Sequence, residues 1–311
     1  MLNKIFLPTE LYIGDLPVVK IEGVEQFSVK KTFDCGQCFR FDEVLDSIHE
    51  CEYAGMAHGK YISFAQDGDT LYIYNATLDE YENIWESFLA LDTDYKEIDN
   101  NILSLSSNPS LADALKLSGG IRILRQEKWE ALCSFIISQN NNIPRIKKLV
   151  SALSFACDEN RSKAPENMCG HIADAHKTID GSFSPFPTPD KTLALGIDGL
   201  AALKVGFRAK YIYDASQKVI SGEIDLNKIA ELDSTAECSD ILCKIKGVGV
   251  KVAACTLLFG FNRLDSFPID VWIKRVIAKY FNEDFDPESL GQFAGVAQQY
   301  LFYYERYLNQ E

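Results

Sequence analysis

The chain has 311 residues, 47% hydrophobic and 24% charged, with 45 acidic against 31 basic residues and a formal net charge of −14. That length exceeds what one core usually serves, so two or more are expected. No stretch approaches the roughly twenty apolar residues of a membrane helix, and Met1–Pro8 carries no long apolar run, so the sequence reads as soluble and cytoplasmic. The nine cysteines are odd in number and scattered, and Cys133, Cys157 and Cys255 sit in apolar segments. They read as reduced packing residues rather than disulfides, and Cys35 with Cys38 lacks partners for a zinc site.

In chain order, the runs Leu11-Tyr12-Ile13, Phe27-Ser28-Val29, Tyr61 to Phe64 and Leu71 to Tyr74 are aromatic and β-branched, broken by Gly, Asp and Asn. They predict an antiparallel sheet up to about Thr77. From Asp79 the period becomes helical, with amphipathic segments near 79–90, 109–117, 126–139, 142–157, 209–221, 238–246, 251–259, 270–281 and 288–308. Residues 158–190 are polar and carry Pro165, Pro185, Pro187 and Pro189, which predicts an exposed connection with one short helix. The expected fold is α+β, with an N-terminal antiparallel β-sheet domain and flanking helices over 1–117 and an all-α body over 118–311. No internal repeat or low-complexity tract is visible.

Charge is unevenly distributed. Residues 1–100 hold 20 acidic and 7 basic residues, whereas Ile241 to Phe281 holds 7 basic and 2 acidic. The field is therefore polarised along the chain, with a basic patch in the C-terminal half.

That patch contains Lys246-Gly247-Val248-Gly249-Val250-Lys251, followed at Pro268-Ile269-Asp270 by an aspartate. Gly247 and Gly249 between two apolar helical runs permit a tight hairpin over 241–259, whose N–H groups and following helix N-terminus suit an anion such as phosphate. Lys251 lies in the first turn of that helix, where a positive potential disfavours its ammonium form and favours use as a nucleophile. Asp270 sits at an expected N-cap, where its ionised form is favoured. Each residue also has a plainer reading: Lys251 as a phosphate contact in a non-catalytic hairpin, Asp270 as a cap alone.

The hairpin resembles that of the helix-hairpin-helix (HhH-GPD) DNA glycosylases, and further blocks resemble the 8-oxoguanine DNA glycosylase/lyases among them. They are Cys35-Gly36-Gln37-Cys38-Phe39-Arg40, Ile121 to Gln126, Phe135 to Arg145, Gly206-Phe207-Arg208-Ala209-Lys210-Tyr211, Phe293 to Gln298 and Leu301-Phe302. The resemblance runs in order from residue 35 to 302. It implies base-excision repair: removal of 8-oxoguanine opposite cytosine from double-stranded DNA, by Lys251 attack on C1′ with Asp270 assisting, then β-elimination from a Schiff base. Gly36, Cys255, Gln298 and Phe302 would hold the extruded base. Asn140, Arg145, Phe207, Arg208, Gly247 and Gly249 would hold the DNA, with Asn140 filling the gap, Phe207 wedging the stack, and Arg145 and Arg208 reading the orphaned cytosine.

The same resemblance implies a monomer without a redox cofactor, nucleoid-associated if prokaryotic. No four-cysteine cluster follows Asp270, which argues against an iron–sulfur relative. A structural cation could sit on the backbone carbonyls of Cys243, Ile245 and Val248. Four positions depart from the eukaryotic pattern: Phe207 stands for a tyrosine, Gln139 for a serine, Val250 for a threonine, and Trp272 for a histidine near a flanking phosphate. Trp272 implies a looser strand grip and a weaker check on cytosine. His49, His58, His171 and His176 receive no catalytic role. The alternatives are a glycosylase for other damaged purines on the same fold, which would lack Lys251 and not nick, and a non-enzymatic hairpin module, which would not need Gly36, Gln298 and Phe302 together.

Overall fold

The computed structural model describes residues 7–158, 162–163, 166–173, 182–281 and 285–308. Six strands, β1 (Pro8–Ile13), β2 (Leu16–Ile21), β3 (Phe41–Glu43), β4 (Cys51–Ala57), β5 (Lys60–Asp67) and β6 (Thr70–Tyr74), form one antiparallel sheet of order β1-β2-β6-β5-β4-β3. The expected strands at 11–13, 61–64 and 71–74 lie within β1, β5 and β6. Phe27-Ser28-Val29 is not a strand: Ser28 caps the Val29–Asp34 helix, its hydroxyl accepting from the Lys31 N–H at 3.2 Å. A serine that satisfies a free helical donor outweighs the β preference of its neighbours. The strand β4, rich in residues of low strand propensity, is carried by pairing with β5 from Cys51↔Gln66 to Ala57↔Lys60.

One face of the sheet buries an aromatic cluster in which Phe33, Phe41, Phe64, Trp85 and Phe88 meet, with Phe33–Phe64 centroids at 5.3 Å and Phe64–Trp85 at 5.9 Å. The other face is covered by Met168, Ala173 and Phe183. The described part of 158–190 therefore is not simply exposed, because its apolar side chains close the second face of the sheet. His171 fixes it there, with its Nδ1 2.8 Å from Glu52 Oε1 and its ring 3.7 Å from that of Tyr74. Pro165 and His176 lie outside the described residues.

The helical body follows the expected order, with helices at Pro109–Ser118, Lys128–Ser138, Ile143–Ala156, Ala209–Ser221, Val250–Gly260 and Val271–Tyr280. Three expectations are corrected. The 79–90 helix runs from Leu78 to Phe88 and widens into a π segment at Tyr81–Trp85 between two short α-helical turns. The 238–246 helix is Thr235–Leu242, started by the Ser234 cap and stopped by the hairpin turn. The 288–308 helix is broken at Gly291, giving a 3₁₀ segment Pro287–Phe293 and the helix Ala294–Leu308. Tyr95–Leu105, capped by Asp94, and Leu226–Glu231, capped by Asp225, are further helices.

The large core joins these helices to part of the N-terminal region: Cys35, Phe39, Tyr95, Ile98 and Leu111 are buried with Ile136, Leu257 and Leu301. The Ser118 hydroxyl donates to the Tyr300 carbonyl at 3.0 Å, and Tyr300 donates to Asp99 at 2.9 Å. Beyond the Val29–Asp34 helix, Arg40 donates to the Ser184 carbonyl and lies 3.5 Å from the Glu130 carboxylate. Burial raises Glu130 from 4.5 to about 7, against the opposing pull of Arg40.

A carboxyl raised on folding binds a proton that the unfolded chain has released, so its contribution to stability is complete below about 4.5 and fades as pH rises through about 7. Stability should fall by up to about 3 kcal/mol across that window from this group. Glu130→Gln should flatten that fall, which urea unfolding between pH 4.5 and 8 will measure.

Candidate active site

The hairpin places the two charged residues on neighbouring helix starts. Gly247 adopts φ +78, and a Cβ there would stand 2.3 Å from the Tyr211 ring, so the turn requires glycine for both conformation and space. Gly249 caps the Val250–Gly260 helix without any side-chain hydrogen bond, leaving the helix N-terminus open to an external anion. Cys243 and Ile245 lead into the turn and Val248 lies within it, where the Ile245 carbonyl already accepts from the Val248 N–H at 3.0 Å.

Lys251, second in this helix, is half-buried with its amine 5.8 Å from the centre of the Phe135 ring. Asp270 caps the Val271–Tyr280 helix, its Oδ1 accepting from the Ile273 N–H at 2.8 Å, so capping leaves its second oxygen available. Both residues line an inner cavity of about 60 Å³ and an adjoining outer cavity of about 370 Å³.

The inner cavity also brings together Gly36, Cys255, Gln298 and Phe302. Gly36 has φ +78, and a Cβ would lie 3.2 Å from Ile143 Cδ1 and 3.7 Å from the Phe302 ring. Burial raises the Cys255 thiol while the Lys251 ammonium opposes the shift, so the sulfur faces the cavity as a neutral group. Gln298 is buried, and its Oε1 has no hydrogen-bond partner among the described residues. An unmatched buried acceptor costs about 1–3 kcal/mol, which a donor entering the cavity would recover.

The DNA-facing set is split. Within Asn140-Asn141-Asn142, Asn141 donates to the Ile137 carbonyl at 3.1 Å and Asn142 caps the next helix through Arg145 N–H at 3.0 Å. Asn140 is exposed in a left-handed conformation (φ 48), and Arg145 is exposed beside it. Phe207 is 48% exposed and lies edge-on to Tyr211 at 5.7 Å. Arg208 is only 4% exposed: it donates to the carbonyls of Val205 at 3.1 Å, Gln139 and Asn140 at 3.2 Å, and stacks 4.5 Å from the Phe207 ring. It therefore braces the Asn140 backbone in this structure rather than standing free with Arg145.

The sequence reading missed two neighbours, Arg306 and Gln299, and it placed Trp272 near a flanking phosphate, where the structure also puts it in the cavity wall. Arg306 and Trp272 line the outer cavity, Arg306 tied to the Asp34 carbonyl at 2.8 Å and Trp272 carrying the Arg275 guanidinium 5.1 Å from its ring. Gln299 lines the inner cavity beside Gln298. Arg306 follows Phe302 by four residues, a helical spacing that could have flagged it. A larger cavity of about 860 Å³ lies behind the hairpin, but it lacks Lys251 and Asp270, and its Arg263 is held by the carbonyls of Ala230, Leu232 and Asp233.

Gly247→Ala should destabilise the chain by about 1–3 kcal/mol and weaken duplex binding, because the left-handed turn and the Tyr211 contact are both violated. Adding Tyr211→Ala should recover only the steric share, as thermal melts of the single and double variants will show.

Known proteins match both parts of the chain. Residues 20–132 match the 8-oxoguanine DNA glycosylase N-terminal domain, and residues 133–290 match the HhH-GPD superfamily of base excision DNA repair proteins. The Clostridium acetobutylicum 8-oxoguanine glycosylase/lyase, solved with double-stranded DNA containing cytosine opposite 8-oxoG, is 34% identical with a TM-score of 0.82 over 97% of this chain and 98% of that one. MBOgg1, solved with a low-affinity DNA ligand, is 38% identical with a TM-score of 0.82 over 97% and 99%. The Saccharomyces cerevisiae N-glycosylase/DNA lyase is 32% identical over 61% of this chain, a stretch that spans 48% of the yeast protein. With both domains matched in order and the whole length superimposed, the chain belongs to the 8-oxoguanine DNA glycosylase/lyase family of the HhH-GPD superfamily.

Proposed function

We propose that this chain is a bifunctional DNA N-glycosylase and apurinic/apyrimidinic-site lyase that removes 8-oxoguanine opposite cytosine from duplex DNA. The observation that carries the reading is that an amine, a carboxylate and a buried unpartnered acceptor, those of Lys251, Asp270 and Gln298, line one cavity.

A base inside a duplex is out of reach, so the nucleotide must be turned out into the cavity and its place filled. Asn140, which is exposed, fills the gap, with the half-exposed Phe207 as the wedge and the exposed Arg145 reading the unpaired cytosine. Arg208 would join Arg145 once its bonds to Gln139 and Asn140 open. The uncapped helix N-terminus at Gly249 would hold a backbone phosphate, with Lys246 and Lys274 adding basic charge nearby in the chain.

In the cavity, Phe302 and Cys255 sandwich the purine and Gln298 Oε1 accepts from its Watson–Crick edge. The Gly36 carbonyl accepts the N7–H that 8-oxoguanine carries and guanine lacks. The Lys251 amine, as its free base, attacks C1′ while the N9–C1′ bond breaks and its electron pair leaves with the base, which takes up a proton. Asp270, its carboxylate held at the helix start by the Ile273 N–H, stabilises positive charge at the sugar. Loss of the amine proton and opening of C1′–O4′ give the Schiff base. Removal of a C2′ proton then expels the 3′ phosphate and nicks the strand. This chemistry draws on side chains alone and needs no redox cofactor.

Incubation with an 8-oxoguanine:cytosine duplex and borohydride should trap a covalent adduct and, without borohydride, release a nicked strand. Lys251→Gln should bind the duplex but give neither product; an adduct that persists in that variant removes Lys251 from its role, and excision without nicking removes the lyase step. Asp270→Asn should slow excision by about 10²–10³-fold. Since asparagine caps helices about as well as aspartate, its melting temperature should barely move.

A further inference from the structure

The three successive carbonyls of the loop at Gly36 are treated differently. The Cys35 carbonyl accepts from the side-chain amide of Gln299 at 2.8 Å, and the Gln37 carbonyl accepts from that of Gln126 at 2.8 Å. Between them, the Gly36 carbonyl accepts no hydrogen bond from the described residues. The Gln37 side chain, itself fully buried, donates to the carbonyls of Thr32 at 2.9 Å and Arg122 at 2.8 Å and accepts from the Leu124 N–H at 2.8 Å. The loop is thus held on both sides of one glycine, and only the glycine's acceptor is left for a ligand.

Gln299 comes from the Ala294–Leu308 helix, next to Gln298, whose unpartnered Oε1 lies in the same cavity. It is buried, and its amide spans from the helical body to a loop that leads out of the Val29–Asp34 helix. Drawing the Cys35 carbonyl toward Gln299 fixes the orientation of the Cys35–Gly36 peptide and removes a competing acceptor from the neighbourhood of the bound base.

We propose that Gln299 is a positioning residue for lesion discrimination: its amide N–H₂ holds the Cys35 carbonyl so that the Gly36 carbonyl alone is presented to the N7–H of an oxidised purine. The inference rests on the 8-oxoguanine reading above. A loop free to rotate there would offer either carbonyl, and the energetic difference between a purine with N7–H and one with a bare N7 lone pair would shrink. Repulsion between a carbonyl oxygen and that lone pair contributes to rejection only if the carbonyl cannot turn away.

The test uses Lys251→Gln as a binding-only background and compares affinities for three duplexes with 8-oxoguanine, guanine or a tetrahydrofuran abasic analogue opposite cytosine. At pH 8, Gln299→Glu replaces the donor with an isosteric acceptor and should lower the 8-oxoguanine:guanine affinity ratio by about tenfold, while tetrahydrofuran affinity changes less than about twofold. As pH is lowered toward about 5, the introduced carboxyl protonates, regains an O–H donor, and the ratio should recover. Gln299→Leu should show the loss at every pH, and provides the same reading should the charged variant fail to fold. An unchanged ratio in both variants, or an equal loss on all three duplexes, overturns the proposal. If the parent background shows no preference for 8-oxoguanine, the functional reading itself fails, a result distinct from a preference that ignores residue 299.

Discussion

The structure depends on a loop from the sheet region being buried inside the helical body. A primary amide with no exposure, such as that of Gln37, is tolerable only when its hydrogen bonds are made, and here they run to residues on both sides of the joint. The Gln37 bonds to Arg122 and Leu124, together with the Gln126 bond to the Gln37 carbonyl, tie the loop to the stretch entering the Lys128–Ser138 helix. That helix carries Phe135, over which the Lys251 amine lies. Recognition and chemistry therefore share a frame, and their spacing is set by buried polar bonds rather than by the flexibility of two separate units.

The second organising effect is electrostatic. An overall charge of −14 would repel a polyanion, yet the acidic excess belongs to the first hundred residues, while the hairpin region is basic. The two catalytic candidates exploit local fields rather than net charge. Each sits at the start of a helix, Asp270 as the cap of one and Lys251 in the first turn of the other, where the aligned peptide dipoles add positive potential. Placing both beside an apolar wall of Phe135 and Phe302 lowers the local dielectric and strengthens whatever field a developing sugar cation meets.

How much of this was legible in the sequence varied with its cause. Turns and caps are written locally, so the Gly247 hairpin and the Asp270 cap could be read directly, and the Ala209–Ser221 helix fell on the expected bounds. Features that depend on distant partners could not. The strand β4 exists because β5 lies beside it, and Met168 and Phe183 are buried because the outer face of the sheet needs a cover. Ser28 shows the opposite failure: a short β-like run concealed a cap. In the site, the motif residues gather around one cavity, but Arg208 is engaged with backbone carbonyls that no local pattern announces, and Gln299 is visible only once the Cys35 loop is seen against its helix.

Rejection of ordinary guanine sets the hardest energetic demand, because one net hydrogen bond is worth about 1 kcal/mol and the normal base vastly outnumbers its oxidised form. Under the proposed function, that demand would be met by coupled steps rather than by one strong contact. Arg208 joins the Asn140 backbone to the Phe207 ring, Phe207 touches Tyr211, and Tyr211 fills the space left by the absent side chain of Gly247. Under the proposed function, a Phe207 displaced by DNA would reach the hairpin that carries Lys251 through Tyr211, linking insertion at the gap to the position of the amine. Discrimination then accumulates over extrusion, seating and attack, each modest alone, as expected for an enzyme whose binding energy is realised in the transition state.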